Sequence, residues 1–285
     1  MSDFLKPAPK TFSTLLKRAI NKRFKEGRGN GTGKHYKPFL EIRDVASKGR
    51  CHRVPSITHG RVVHLLSDLE LVIFYLFDWH SAVIDIREQF PLNPQDTFAL
   101  AESANIPHPE YGGVKQVMTT DFVVDMSDQG EMKRIAISAK YAEDLEDPRT
   151  LEKQELERRY WKNKEVPWYI ITEQDIPPIL VKNIRWLIPH FQSFDLSEQE
   201  RKLAFNQFIY AFDTFQEIKI PHICAHLDEA NEQEPGTYLS WLRHLLAQRA
   251  FVWDMNTIAH TKLTSADLTA SDAWLRGEIN YVFNE

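Results

Sequence analysis

Asp121, Ser138 and Lys140 bring an acid, a hydroxyl and an amine within reach of one another along the chain. The segment reads Thr-Thr-Asp121-Phe-Val-Val-Asp-Met, then Ser-Asp-Gln-Gly, then Glu-Met-Lys-Arg-Ile-Ala-Ile-Ser138-Ala-Lys140. Two β-branched, apolar runs around four turn formers predict an antiparallel hairpin, 119–126 with 131–141. Met126 facing Glu131 across the turn pairs Asp121 with Ala136, and alternation then puts Ser138 and Lys140 on the face of Asp121. A carboxylate there suits Mg2+, which takes oxygen ligands in near-octahedral geometry and keeps several waters. Such an ion polarises a phosphoryl oxygen and acidifies a bound water, while a neighbouring ammonium steadies the negative charge of the transition state. The chemistry that wants this set is hydrolysis of a phosphodiester.

An acid on one strand, a ligand pair on the next and a lysine two residues on is the pattern of PD-(D/E)xK nucleases. Spacing alone fits a strand-edge acid and a solvated lysine equally well. A third acid stands upstream, where Ser67-Asp-Leu-Glu70 opens the apolar helix Leu-Val-Ile-Phe-Tyr-Leu-Phe. Ser67 with Glu70 three places on is a capping box, and a helix-borne acid projected into a cleft above the hairpin is the competing reading. Residue type leaves both open.

The elements that must hold these groups follow from period and punctuation. A helix is predicted near 11–25, strands around 38–45, 50–58 and 61–65, the Glu70 helix to about 79, and a strand from Ala82 to Glu88. Residues 91–115, rich in Pro, Asn, Asp and Gly, predict a long loop with a short helix. A helix over 149–164 and a buried strand over 166–172 follow the hairpin, and that strand–helix–strand order predicts a parallel crossover beside the Lys140 strand. The result is a mixed sheet flanked by helices. Pro177-Pro178 and Pro189-His190 mark the end of this part, with a helix at 179–188 as a link. Helices at 196–217 and 237–249 and a short strand after Ala250 make up the remainder. Phe205, Phe208, Tyr210, Phe212 and Phe215 form either a docking face or, more simply, a helix core.

At 285 residues and 42% hydrophobic, the chain can bury a sizeable core in two domains. Cys51 and Cys224 lie far apart and form neither a disulfide framework nor a zinc pattern. No run reaches a membrane span and no apolar leader follows the opening Met-Ser-Asp-Phe-Leu-Lys, which predicts a cytoplasmic protein. His222 and His226 stand at i and i+4 without an HExxH string, so a zinc site is disfavoured. There is no GxSxG, no dinucleotide fingerprint and no Walker loop.

The net charge of −5 hides a steep polarity. Residues 1–63 hold 15 Lys and Arg against 4 acids, a balance of +11, and the remainder stands at −16. A basic segment ahead of an acidic body suits phosphate contact by counterion release. The glycines of Gly27-Arg-Gly-Asn-Gly-Thr-Gly33 allow close backbone approach, with a solvated flexible arm as the alternative. Arg28, Lys34, Arg50, His52, Arg53 and Arg61 are the candidate DNA contacts.

Several strings together resemble the TnsA family, the endonuclease subunits of heteromeric cut-and-paste DNA transposases. They are Arg23–Lys34, Gly60-Arg61 with the His-Leu-Leu-Ser-Asp-Leu-Glu-Leu of 64–71, Asp85–Leu92, the Gln-Val-Met-Thr-Thr-Asp-Phe of 116–122, and Arg149–Trp161. The resemblance covers about residues 20–190 in consistent order. It implies an α/β fold, with a restriction-endonuclease-like PD-(D/E)xK core over 1–190 and a smaller helical, winged-helix-like domain over 191–285. It also implies Glu70, Asp121 and Lys140 as the catalytic set, Glu70 and Asp121 as ligands of Mg2+ with Mn2+ as a substitute, and Glu157 as a supporting acid. Glu157 also fits an ordinary salt-bridged helix surface with Glu152, Glu155, Arg158 and Arg159. Position 138 departs from the superfamily pattern, since Ser138 stands where an acid is usual. The implied activity is cleavage at the 5′ ends of a transposon, beside a TnsB-like DDE recombinase and a TnsC-like AAA+ regulator. A decayed site in a protein that only bridges those partners is the alternative, and a stand-alone nuclease a third. The C-terminal part, with more acids than bases, is expected to meet partner proteins rather than read DNA.

Overall fold

The computed structural model describes residues 10–45, 49–56, 58–128, 130–190 and 196–276. The opening residues and Gln129 of the expected turn lie outside them. The chain divides into two compact units, Met1–Asp175 and Ile176–Glu285. The division falls ahead of the helix expected to link two domains, so that helix belongs to the second unit.

In the first unit a basic helix, α1 (Lys10–Lys25), leads through the glycine-rich turn to a small antiparallel pair, β1 (His52–Pro55) and β2 (Val62–Leu65). Helix α2 (Asp68–Asp78) and strand β3 (Val83–Pro91) follow, then α3 (Pro94–Ala104) and a two-residue pair, β4 (Glu110–Tyr111) with β5 (Val114–Lys115). The hairpin is β6 (Thr119–Asp128) and β7 (Glu131–Ala139), and α4 (Pro148–Asn163) crosses over to β8 (Trp168–Ile171). The main sheet runs β3-β6-β7-β8, antiparallel except for the β7–β8 pair, which is parallel as a helical crossover requires. It is thus a mixed sheet flanked by helices.

The hairpin register differs from the expected one by two residues. Val123 pairs with Ala136 and pairing continues to Asp128 opposite Glu131, so the turn is shorter than four residues and Asp121 comes opposite Ser138. Gly130 supplies the positive φ of +88° that so tight a turn needs. Because the shift is even, every side chain keeps its predicted face. Val123 and Ala136 share a core with Leu156, Tyr160 and Trp161 of α4 and with Leu92 and Ala101. Phe122, Val124 and Ile137 alternate with these and are fully buried toward the other face. Helix α2, whose Ile73 and Phe74 are fully buried, contacts β3 and β7.

The strand expected over 38–45 is instead irregular, with a 3-10 turn at Ile42–Asp44. There the backbone N–H of Glu41 donates to Asp44, and Phe39 N–H donates to the carbonyl of Gln89. In the expected long loop, α3 forms a full three turns because Asn93 caps it, accepting from the Gln95 and Asp96 N–H groups, with Pro94 first in the helix.

The second unit holds α5 (Pro178–Leu187), α6 (Glu198–Thr214), α7 (Ile220–Ala230) and α8 (Thr237–Ala247), then a ribbon of β9 (Phe251–Val252) with β10 (Thr269–Ala270), and α9 (Asp272–Leu275). Phe205 and Phe208 pack on Phe251 as helix core, whereas Tyr210 is exposed. His222 and His226 are both solvated. No described helix is long and apolar enough to cross a membrane.

Candidate active site

The start of β6, the end of β7 and the first turn of α2 bring the candidate groups together. Asp121 Oδ2 accepts from the Lys140 ammonium at 2.8 Å and from the Ala139 N–H at 2.8 Å. Lys140 also donates to the Ala139 carbonyl at 2.8 Å, so the amine is fixed by neighbouring backbone and side-chain atoms of the strand pair. Burial by itself would lower the Lys140 ammonium, but Asp121, Glu157 and Glu70 outweigh it and hold the group above its ordinary value. Lys140 stays charged across the physiological range. A quarter of its side chain remains exposed, which leaves a route to substrate.

Glu70 takes part in the helix cap and also lies beside the hairpin. Its N–H donates to the Ser67 hydroxyl at 3.0 Å, the helix cap, and Ser67 donates back to Glu70 Oε1 at 3.2 Å. The other oxygen accepts from Leu66 N–H at 2.9 Å, one residue earlier than a standard capping box would place it. That reach leaves the carboxyl buried beside the hairpin. Burial, then the charge of Asp121, push it up to about 8, with Lys140 pulling the other way. The three groups separated along the chain therefore share one electrostatic site.

Glu157, on α4, lies behind them and is no surface residue. It accepts from Thr120 (2.8 Å), Ser138 (3.2 Å) and the Trp168 indole (3.1 Å), and the Trp161 indole donates to Thr120 at 2.7 Å. Burial and then Asp121 push its carboxyl up to about 7. Its neighbours Glu155, Arg158 and Arg159 do make the expected surface salt bridges. Ser138, 1% exposed, turns its proton to Glu157, which leaves oxygen lone pairs for another partner.

The donor chemistry suits a hard divalent cation. Among the described residues no group of three or more His, Cys, Asp or Glu stands at metal-holding spacing. Glu70 and Asp121 form a carboxylate pair whose repulsion raises one member, and Ser138 and Ala139 add neutral oxygens. Two carboxylates balance one such cation that keeps several waters.

Similarity to known proteins agrees with this geometry. Residues 80–173 match a family model described as TnsA-like endonuclease N terminal, and residues 175–255 match one described as TnsA endonuclease C terminal. The chain is 42% identical to the Transposon Tn7 transposition protein TnsA of Escherichia coli over 278 residues, 96% of this chain and 99% of that protein. The chain belongs to the TnsA family. It is accordingly a transposase endonuclease subunit, and its chemistry is cleavage of DNA.

The basic residues expected at the DNA face of this TnsA protein divide into two groups. Arg28 is buried, donating to Asp44 at 2.5 Å, to Glu26 at 3.0 Å and to the Phe39 carbonyl. Arg61 makes a two-pronged bond to the fully buried Glu88, at 2.8 and 2.6 Å, and lies over the Tyr36 ring. Both guanidinium groups hold the fold and are not presented to a ligand. Arg50 and His52 converge on Asp68 at the start of α2, with Arg50 still exposed, and Lys34 and Arg53 are exposed as well. The glycine segment is a folded turn rather than a loose arm: Gly29 N–H donates to the Lys37 carbonyl and Gly33 N–H to Asp85. Sequence reasoning missed Gln89, which lies against Glu70, and Thr120, which lies against Glu157. The available signal was a run of polar residues, Asp85-Ile-Arg-Glu-Gln89, inside a strand that the fold buries.

Proposed function

We propose that this endonuclease is Mg2+-dependent and cuts the 5′ strands at the ends of a transposon, with Glu70, Asp121 and Lys140 as its catalytic set. The observation that carries this reading is the convergence of those three groups around a carboxylate pair. Glu70, Asp121 and Ser138 would hold the cation, which supplies charge for the phosphoryl oxygen and an acidified water. Asp121 and the Ala139 carbonyl hold the Lys140 ammonium in one place, so its remaining donor capacity faces a phosphate oxygen without reorganisation. Glu157 fixes Ser138 and Thr120 from behind and excludes water from that side. Asp121 and Lys140 on a hairpin beside a helix-borne acid support a PD-(D/E)xK core of restriction-endonuclease type, in which Ser138 takes the place of the usual acid. The helices and short ribbon of the second unit suit a winged-helix-like domain.

Transposon-end DNA, a TnsB-like DDE recombinase and a TnsC-like AAA+ regulator are the proposed partners, in the cytoplasm, with Mn2+ as a substitute cofactor. DNA phosphates would meet Lys34 and Arg53 together with α1, which carries Lys17, Arg18, Lys22 and Lys25 exposed and no acid. The excess of acids in the second unit suits protein contact there.

A reconstituted excision reaction resolved by strand tests the assignment. Asp121→Ala or Lys140→Ala is expected to slow 5′-strand cutting by about 100-fold or more, the usual loss when a preorganised electrostatic group is removed. The 3′ cuts made by the recombinase serve as the internal standard. Wild-type 5′ cutting by either variant overturns the reading.

A further inference from the structure

Gln89 occupies a position that a strand residue does not ordinarily take. It has φ +48°, a left-handed conformation near the end of β3, where a side chain larger than Asn or Asp is rarely found. The β3–β6 register pairs Glu88 with Phe122 and Phe90 with Thr120, so Gln89 stands across from Asp121. Its side chain is 2% exposed. Nε2 donates to Glu70 Oε2 at 3.3 Å, and Oε1 accepts from the Thr119 hydroxyl at 3.3 Å. Outliers of this kind persist only where the surroundings over-determine them. Here Phe39 N–H holds the Gln89 carbonyl, Tyr36 hydroxyl holds the Glu88 carbonyl, and Arg61 holds the Glu88 carboxylate. Arg61 also donates to the Ile86 carbonyl and so braces the backbone of the same strand.

We propose that Gln89 is a positioning residue of the nuclease, its amide holding the Glu70 carboxylate in the orientation needed to share a divalent cation with Asp121. With Leu66 N–H and the Gln89 amide on Oε2 and the Ser67 hydroxyl on Oε1, neither oxygen of Glu70 is free to rotate. The amide does this without adding charge. A carboxylate at 89 would be a further anion in a site that already raises Glu70, and an aliphatic side chain would leave Thr119 and Glu70 unmatched. This inference rests on Glu70 and Asp121 being the metal-holding pair.

Three variants of the full chain separate this role from a purely structural one. Gln89→Asn keeps an amide and suits the left-handed backbone, but is one methylene too short to reach Glu70. Gln89→Gly relieves the backbone and removes the amide. Asp121→Ala tests the underlying site. Mn2+ binding by isothermal titration calorimetry and melting temperature without metal are measured for each. Both Gln89 variants are expected to melt at or above the wild-type temperature yet bind Mn2+ about tenfold more weakly, and Asp121→Ala to show no binding at the site. Wild-type Mn2+ affinity in Gln89→Asn and Gln89→Gly, with binding lost in Asp121→Ala, overturns the role of Gln89 alone. Wild-type affinity in Asp121→Ala overturns the metal-site reading and the role of Gln89 with it.

Discussion

Asp121 carries the Lys140 ammonium on the same oxygen that faces the Ala139 N–H, and it is also the charge that raises both Glu70 and Glu157. Removing one carboxylate therefore changes the other two. Glu70 and Glu157 bind their protons more tightly in the fold than in the unfolded chain. These two groups thus contribute stability that is present below the ordinary carboxylate range and lost as pH rises toward about 7 and about 8, while histidines held below their ordinary value by burial, His190 among them, act in the opposite sense. The stability difference between wild type and Glu157→Gln is therefore expected to shift against wild type by several degrees of melting temperature between about pH 5 and about pH 8.5. A difference that stays constant or shifts toward wild type contradicts a buried Glu157 carboxyl held above its ordinary value. At this scale the shared face of Asp121, Ser138 and Lys140 was legible in the sequence, because strand alternation keeps that face under any even register shift. Gln89 was not, because the polar run of its strand gives no sign of the left-handed backbone at this residue. Glu157 read more readily as surface, since only packing against Trp168 and Thr120 tells it apart from Glu155.

The elements that deliver these side chains were mostly visible in their periods, and the misses share one cause. Segment 38–45 reads as a strand by composition, but Arg28 and the Glu41 N–H both take Asp44, and that local turn outcompetes a ladder. The hairpin closed two residues tighter than its four turn formers suggested, since pairing runs on through Asp128 and Glu131. Arg28 and Arg61 look like DNA contacts in a one-dimensional charge count, and only the fold shows that Asp44 and Glu88 are waiting for them. Breaking a buried ion pair from one side typically destabilises by about 3–5 kcal/mol. Arg61→Ala is therefore expected to lower chemical stability by that order, read from a denaturant midpoint, and an unchanged midpoint would restore Arg61 as a free cation. Gly29 makes a second check on the same turn. Its φ is +80° and an added Cβ would lie 2.2 Å from Pro91 Cγ, so Gly29→Ala is expected to destabilise by more than about 1 kcal/mol.

For the whole molecule, a net charge of −5 still leaves one short element strongly basic. Helix α1 has no acid, and Lys17, Arg18 and Lys25 are exposed on it. Replacing those three with Ala is expected to weaken binding to duplex DNA similarly for every sequence, and to reduce the slope of log affinity against log salt by about 0.9 for each phosphate no longer neutralised. A sequence-dependent loss, or an unchanged slope, contradicts a phosphate-gripping α1. The division into two units, with the endonuclease matches falling on either side of Asp175, was only roughly legible from proline pairs, because α5 reads as a connector until its packing is seen. Diffraction from crystals soaked in Mn2+, with the anomalous signal used to locate the ion, tests the central claim most directly. One peak is expected within about 2.5 Å of both the Glu70 and Asp121 carboxylates. Ordered density for Glu70 still bonded only to Leu66, Ser67 and Gln89, with no peak between it and Asp121, contradicts that claim.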